Sequence, residues 1–282
     1  MFYLPIIGSL FEAIGTILEK KVLRKKNLNY KNYTTYEFLS LTFVMFPFTF
    51  FFTKIDPAFF SFKNILIFFI VVLLSVFANL LIFYSLKRED VSEFEPLWLM
   101  QSVFVIFLAY IFFPNERNLT FFLLGLVASS SLVFAHIEKK HLVFNKYIVV
   151  ALIGSFLFAC ELVLSRTILI FFNPFSFYFL RCFFIFLICF MIFRPNGKEL
   201  NKRYLLFILT IGIVWVLFRI IMYYGYLTLG IIFTTILFIL SPVFVFLFAV
   251  FFLKEKPNKK QIISAIIIVI CVVLALLFGA DL

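Results

Sequence analysis

The chain has 282 residues, 65% of them hydrophobic and 14% charged, where soluble domains run near ~45–50% apolar and ~25% charged. Its mean hydropathy is +1.14, an excess that no globular core of this size hides, because a soluble chain still needs a polar surface. The net charge of +11 does not mark a nucleic-acid binder: the basic residues sit in short loops between apolar runs, where Lys and Arg orient membrane helices.

The first residues, MFYLPIIGSLFEAIGTILEKK, lack a basic leader and a small-residue cleavage site, and they read as a first spanning helix. A span needs ~20 mostly apolar residues. That length predicts helices over 2–22, 34–53, 65–86, 93–113, 119–137, 147–166, 175–193, 203–227, 230–253 and 260–279. Turn-forming and charged stretches such as KIDP, KRED, PNERN, NPF and KEKPNKK separate them. The predicted fold class is an all-α integral membrane protein with ten transmembrane helices. Cys160, Cys182, Cys189 and Cys271 all fall inside apolar runs without a CxxC pair, so they read as small core residues.

The chain resembles itself. FLAYIFFPNER, ending at Arg117, parallels LFAVFFLKEK, ending at Lys256, and Ser102 pairs with Ser241 at the same offset. Gly8-Ser9 pairs with Gly154-Ser155, Ala13 with Ala159, Lys20 with Arg166, and Tyr84-Ser85 with Tyr224-Gly225. Offsets of 139 to 146 residues divide the chain into halves of five helices, residues 1–140 and 141–282. Five is odd, so the second half is expected to sit upside down relative to the first. Inverted repeats are a common plan of secondary transporters, with the substrate site near the midplane. A duplicated bundle with no transport role is the alternative.

The GS-containing first helix, FYSLKREDVS after the third, and SPVFVFLFAVFFLKEK followed by KKQIISAIIIVICVVLALL resemble the EamA-type transporters of the drug/metabolite transporter superfamily. The resemblance spans nearly the whole chain and is sharpest over residues 241–279. It implies a cavity lined by helices one, three, four, six, eight and nine. The first half departs from it: Val103 stands where the second half has Pro242, and Ser40 where it has Arg181.

Ionisable side chains at bilayer depth are costly, and each is a site hypothesis. Glu12 and Glu161 fall in the first helix of each half, Arg181 in the seventh helix, and Arg219 in the eighth opposite Asn79 of the third. Arg219 is expected either to grip a carboxylate or phosphate through paired hydrogen bonds or to pair internally with Glu161 or Glu12. Arg181, a turn and a half into its helix, is expected to snorkel to the interface. Glu95, beside Pro96, suits the dipole at the start of its helix. Glu12 and Glu161 are alternatively proton carriers, since a carboxyl in such a setting can exchange protons near neutral pH. Gln101, Trp98, Trp215, Tyr84, Tyr223 and Tyr224 are candidates to line a cavity beside these charges. With a carboxylate they would suit an organic cation through cation–π attraction, and with Arg a carboxylate or phosphate. His136 and His141 flank a basic loop and read as interfacial, so no metal is expected.

Lys and Arg number nineteen around the odd-numbered connections and four around the even-numbered ones. The positive-inside rule puts the odd connections in the cytoplasm and both termini outside, whereas the resemblance implies the reverse. Without a nucleotide-binding loop, metal motif or nucleophile motif, neither an enzyme nor a cofactor is expected. The reading is a secondary active transporter, exporter or exchanger, of a small polar metabolite in a cell (inner) membrane. Its partners would be that substrate and the lipid bilayer, with no nucleic acid, and it would act as a monomer or homodimer. A flippase for a lipid-linked headgroup is the alternative, because Arg219 with Arg181 would suit a phosphate.

Overall fold

The computed structural model describes residues 3–23, 29–88, 91–136, 146–195, 202–253 and 259–279. Among them lie eleven α-helices: α1 (Tyr3–Leu23), α2 (Tyr30–Phe52), α3 (Phe62–Leu86), α4 (Val91–Phe112), α5 (Leu119–His136), α6 (Lys146–Leu169), α7 (Pro174–Phe193), α8 (Lys202–Thr228), α9 (Ile231–Phe238), α10 (Ser241–Leu253) and α11 (Lys259–Gly279). Seven segments are long and apolar enough to cross a membrane: α2, α3, α6, α7, most of α8, the stretch Ile231–Phe248 and α11. The apolar stretches of α4 and α5, Leu97–Phe112 and Leu119–Phe134, are shorter. His141, Glu255, Lys256 and the side chains of Lys20, Glu95 and His136 lie outside the described residues.

Helix ends follow local chemistry. Asn29, Asp56, Ser61 and Asn173 each accept a backbone N–H of the first turn they precede, satisfying donors that a helix start leaves open. Pro174 occupies the first turn of α7, where its missing N–H costs nothing. The expected single ninth helix is instead two, α9 and α10, separated by Ile239 and Leu240. Apolarity runs unbroken through this stretch, so hydropathy reads it as one helix. Pro242 has no N–H for the preceding turn, and its ring crowds the carbonyl four residues back.

Each half packs its first helix into the other half. Helix α1 lies against α8, α9 and α10, and α6 lies against α3 and α4. Helix α2 packs on α7, and α5 on α11. Close approach requires small residues: a Cβ on Gly8 would lie 2.6 Å from the Phe238 ring, and one on Gly154 would lie 2.9 Å from Ile82. Ser155, beside Gly154, donates across the halves to the carbonyl of Leu97 at 2.8 Å. The paired Gly-Ser sites of the sequence thus both mark helices that cross into the opposite half.

The connections gather at two ends. At one end Tyr30 meets Tyr84, Tyr84 meets Tyr147, Lys31 lies over Phe193, Lys21 over Phe207, and Lys260 over Phe134. These contacts join the first, third, fifth, seventh and ninth connections. At the other end Ile55 and Phe172 form an isolated antiparallel bridge. Asp56 N–H donates to Phe171 O at 2.8 Å, and Lys54 N–H to Ser176 Oγ at 2.8 Å. Glu116 accepts the N–H of Ile231 at 2.6 Å and pairs with Arg166 at 3.5 Å. The second, fourth, sixth and eighth connections are therefore stitched together across the two halves.

Candidate functional site

Two cavities lie along the seam between the halves, with room for water of about 60 and 80 Å³, several times the ~10–15 Å³ that one water needs. The first is lined by helices α1, α2, α3, α4, α6, α7 and α8, and reaches Leu86 at the odd-numbered end of α3. The second lies deeper, among α1, α4, α5, α6, α8, α9 and α10. Thr16, Trp98, Trp215 and Arg219 belong to both walls and form the waist between them. Helices α2, α5 and α7 line the space in addition to those that the family resemblance implies.

Arg219 is 7% exposed. Its guanidinium carbon lies 5.2 Å from the Phe158 ring centre and 5.6 Å from that of Phe218, and Nη1 donates to Met222 Sδ at 3.8 Å. Among the described residues no carboxylate forms an ion pair with it. The expected internal pairs with Glu161 and Glu12 are therefore not made. Aromatic faces hold the cation by their quadrupoles and leave most of its five donors without an anionic acceptor.

Arg181 corrects a second expectation. It is 1% exposed and does not snorkel. Its Nη1 lies 3.2 Å from Glu161 Oε1, its Nε donates to Ser75 Oγ at 3.0 Å, and its guanidinium also donates to the Tyr223 hydroxyl. Glu161, fully buried, accepts from Ser165 Oγ at 2.7 Å as well. With strong partners inside the bundle, the guanidinium gains nothing by reaching for the interface. It edges the first cavity, whereas Glu161 and Tyr223 stand behind the wall.

The other candidates divide. Glu12, Gln101, Trp98 and Trp215 line the second cavity, as does Ser241. Gln101 Oε1 and Trp215 Nε1 are buried there without a hydrogen-bond partner. Asn79 lines the first cavity and donates to the Ser75 carbonyl at 2.7 Å. Tyr84 lines neither: it packs between Tyr30 and Tyr147 under Arg88, whose guanidinium lies 4.0 Å above its ring. Tyr224 is likewise absent from both walls. In the first half Ser40, at the position matching Arg181, donates to the Ile208 carbonyl at 3.0 Å and carries no charge into the cavity.

Sequence reading missed two carboxyls. Glu19 and Glu37 both line the first cavity, and the Tyr33 hydroxyl donates to Glu19 Oε1 at 3.3 Å. Helix α2 begins at Tyr30 rather than at 34, which puts Glu37 two turns inside instead of near a loop. Glu19 precedes Lys20 and Lys21 and reads as part of a basic helix end. The signal available was spacing: Thr16 and Glu19 are three apart, on the same face of α1.

The EamA-like transporter family matches residues 1–135 and, a second time, residues 145–277. A solved crystal structure of a protein superposes on this fold with a TM-score of 0.71 at 15% identity, over 99% of this chain and 98% of its own. At that identity the likeness is one of fold. No curated protein matches the chain in sequence.

Proposed function

From the premise that the chain belongs to the EamA-like transporter family, we propose that it is a secondary active transporter, exporter or exchanger, of a small polar metabolite bearing an anionic group. The observation that carries this reading is Arg219, buried at the waist between two cavities, held by aromatic faces and paired with no carboxylate among the described residues. A buried charge needs a partner, and a carboxylate or phosphate of the cargo supplies one with matching fork geometry. Trp98 and Trp215 beside it offer flat apolar walls. Gln101 Oε1 offers an acceptor for a cargo hydroxyl or amine.

The architecture we infer is ten crossings in two inverted five-helix repeats, with α9 and α10 forming one broken crossing. The opposite directions of α1 and α6 support it: α1 ends, and α6 begins, at the same end of the molecule. Broken helices at mid-depth are frequent at transporter sites, where they line a cavity. One chain supplies both cavities, so the pathway needs no second subunit, whether the protein is a monomer or homodimer in the cell membrane. A lipid-linked headgroup is the weaker fit, because Arg181 is committed to Glu161 and a phosphate would find a single available guanidinium.

The test is the melting temperature of detergent-purified protein against amino acids, organic cations, sugar phosphates and nucleosides. An anionic solute is expected to raise the wild-type value and to lose that effect in Arg219→Ala. If no soluble ligand shifts the wild type, and the variant is simply less stable, the guanidinium is structural. The lipid reading then takes its place.

A further inference from the structure

Tyrosines and basic residues gather on the outer surface where α3 ends and α6 begins. The guanidinium carbon of Arg88 lies 4.0 Å from the Tyr84 ring centre and 5.5 Å from that of Tyr147, and Lys146 Nζ lies 5.1 Å from the Tyr147 ring. Tyr30 of α2 meets Tyr84 edge to face, with ring centres 5.3 Å apart. Ser85 Oγ donates to the Tyr147 carbonyl at 3.0 Å, which fixes the two helix ends, one from each half, against each other. Arg88 and Lys146 are exposed, and neither pairs with a carboxylate among the described residues. Glu89 and Asp90, next in the chain, lie outside those residues. Arg88, Tyr84, Lys146 and Tyr147 belong to neither cavity wall.

The cluster heads two apolar stripes. On α6, Val149, Ile153 and Phe156 follow Lys146 at steps of three and four residues, so they share its face, and all are exposed. On α3 the exposed Phe77 precedes Tyr84 by seven residues, two helical turns, and Leu73 lies one turn further down. In a chain that crosses the membrane, exposed apolar side chains at this depth meet acyl chains, which are as apolar as they are. Both stripes therefore run from the cluster into the bilayer. The even-numbered end has no counterpart: the repeat that pairs Tyr84-Ser85 with Tyr224-Gly225 puts Leu227 and Thr228 where Lys87 and Arg88 stand.

We propose that this surface holds an anionic phospholipid, with its phosphate at Arg88 and Lys146 and an acyl chain along the α6 stripe. A guanidinium fork matches phosphate oxygens, an ammonium adds a second positive charge, and tyrosines suit the headgroup level. Stacking on two rings already orients the Arg88 fork, so little side-chain freedom is lost on binding. The basic excess of this end complements the negative potential of a cytoplasmic leaflet. A lipid seated here touches α3 and α6 together and so braces helices of the two halves. It sits outside both cavities, as a resident of the surface and not as cargo, and it does not depend on what binds at Arg219.

Native mass spectrometry of the purified chain, from micelles holding equal phosphatidylglycerol and phosphatidylcholine, tests the site without any cargo. The wild type is expected to retain at least one phosphatidylglycerol in preference to phosphatidylcholine. Arg88→Gln and Lys146→Gln are each expected to cut that preference about fivefold. Lys54→Gln and Lys63→Gln, at exposed positions of the even-numbered end, are expected to leave it unchanged. Glycerol phosphate, the headgroup without chains, is expected not to displace the lipid. A wild type without the preference overturns the proposal, as does a preference that survives in either Arg88→Gln or Lys146→Gln. An equal fall in the even-end variants would reduce the effect to overall charge and overturn it too. Displacement by glycerol phosphate would assign the site to a free anion and sink the lipid reading. Should Arg88→Gln unfold because the tyrosine stack loosens, Lys146→Gln, at an exposed helix start, decides the question alone.

Discussion

Arg181 and Arg219 lie on facing helices and look alike in sequence, yet their surroundings give them opposite roles. Arg181 meets Glu161, Ser75 and Tyr223, whereas Arg219 meets two rings and a thioether. Removing one partner of a buried ion pair leaves an uncompensated charge and costs about 3–5 kcal/mol. Glu161→Ala is accordingly expected to lower the melting temperature sharply, and Arg219→Ala much less, which scanning fluorimetry in one detergent would read directly. An equal loss in both would mean that Arg219 too is part of the scaffold. Sequence reading found all three of these charges because hydropathy makes any charge in an apolar run conspicuous. It could not pair them, because the partners come from different helices and Ser75 from the other half. Glu19 and Glu37 escaped notice for a different reason: each sits within two turns of a polar connection, where charges are commonplace.

At the scale of elements, the join between α8 and α9 concentrates the most demanding geometry. Gly230 has φ of 82° with ψ of 162°, a region open essentially to glycine alone that costs a residue with a Cβ about 1–3 kcal/mol. A Cβ there would also lie 2.7 Å from Glu116 Oε2. That same oxygen receives the N–H of Ile231 at the start of α9, where a negative charge complements the helix dipole. Gly230→Ala is thus expected to strain the turn and push Glu116 off its cap together, for a loss of about 1–3 kcal/mol from the backbone alone. Glu116→Gln keeps an acceptor but not the ion pair to Arg166, and Glu116→Ala keeps neither, losing about 1 kcal/mol for the cap alone. Thermal unfolding should therefore rank wild type above Glu116→Gln and that above Glu116→Ala. A Glu116→Ala protein as stable as wild type would show that this contact does not hold the halves together. In the sequence, Glu116 was legible only as one end of a repeated motif; its partner lies 115 residues away, beyond any local pattern.

For the whole molecule, the Gly-Ser pairs, the recurring apolar segments and their offsets made the division into halves readable, because a duplicated chain keeps its packing requirements at matching positions. The exchange of α1 and α6 between halves was not readable, since periodicity says which face is small and not which helix it meets. The structure adds an asymmetry between the two ends. The end holding the even-numbered connections is closed by the Ile55–Phe172 bridge and the Glu116 contacts, while the first cavity extends toward the odd-numbered end at Leu86. That odd-numbered end also carries nineteen of the loop Lys and Arg residues against four, a bias that the positive-inside rule reads as cytoplasmic. The family resemblance implies the opposite. Lys63, at the start of α3, and Lys259, at the start of α11, are exposed and lie at opposite ends. In a background with the four cysteines replaced, intact cells are expected to let a membrane-impermeant maleimide label Lys63→Cys and not Lys259→Cys. Permeabilised cells should expose both. That outcome makes this conformation inward-facing, with Arg219 and the first cavity approached from the cytoplasm and cargo loaded there for export. The reverse labelling would turn the same cavity outward, and cargo would then enter from outside.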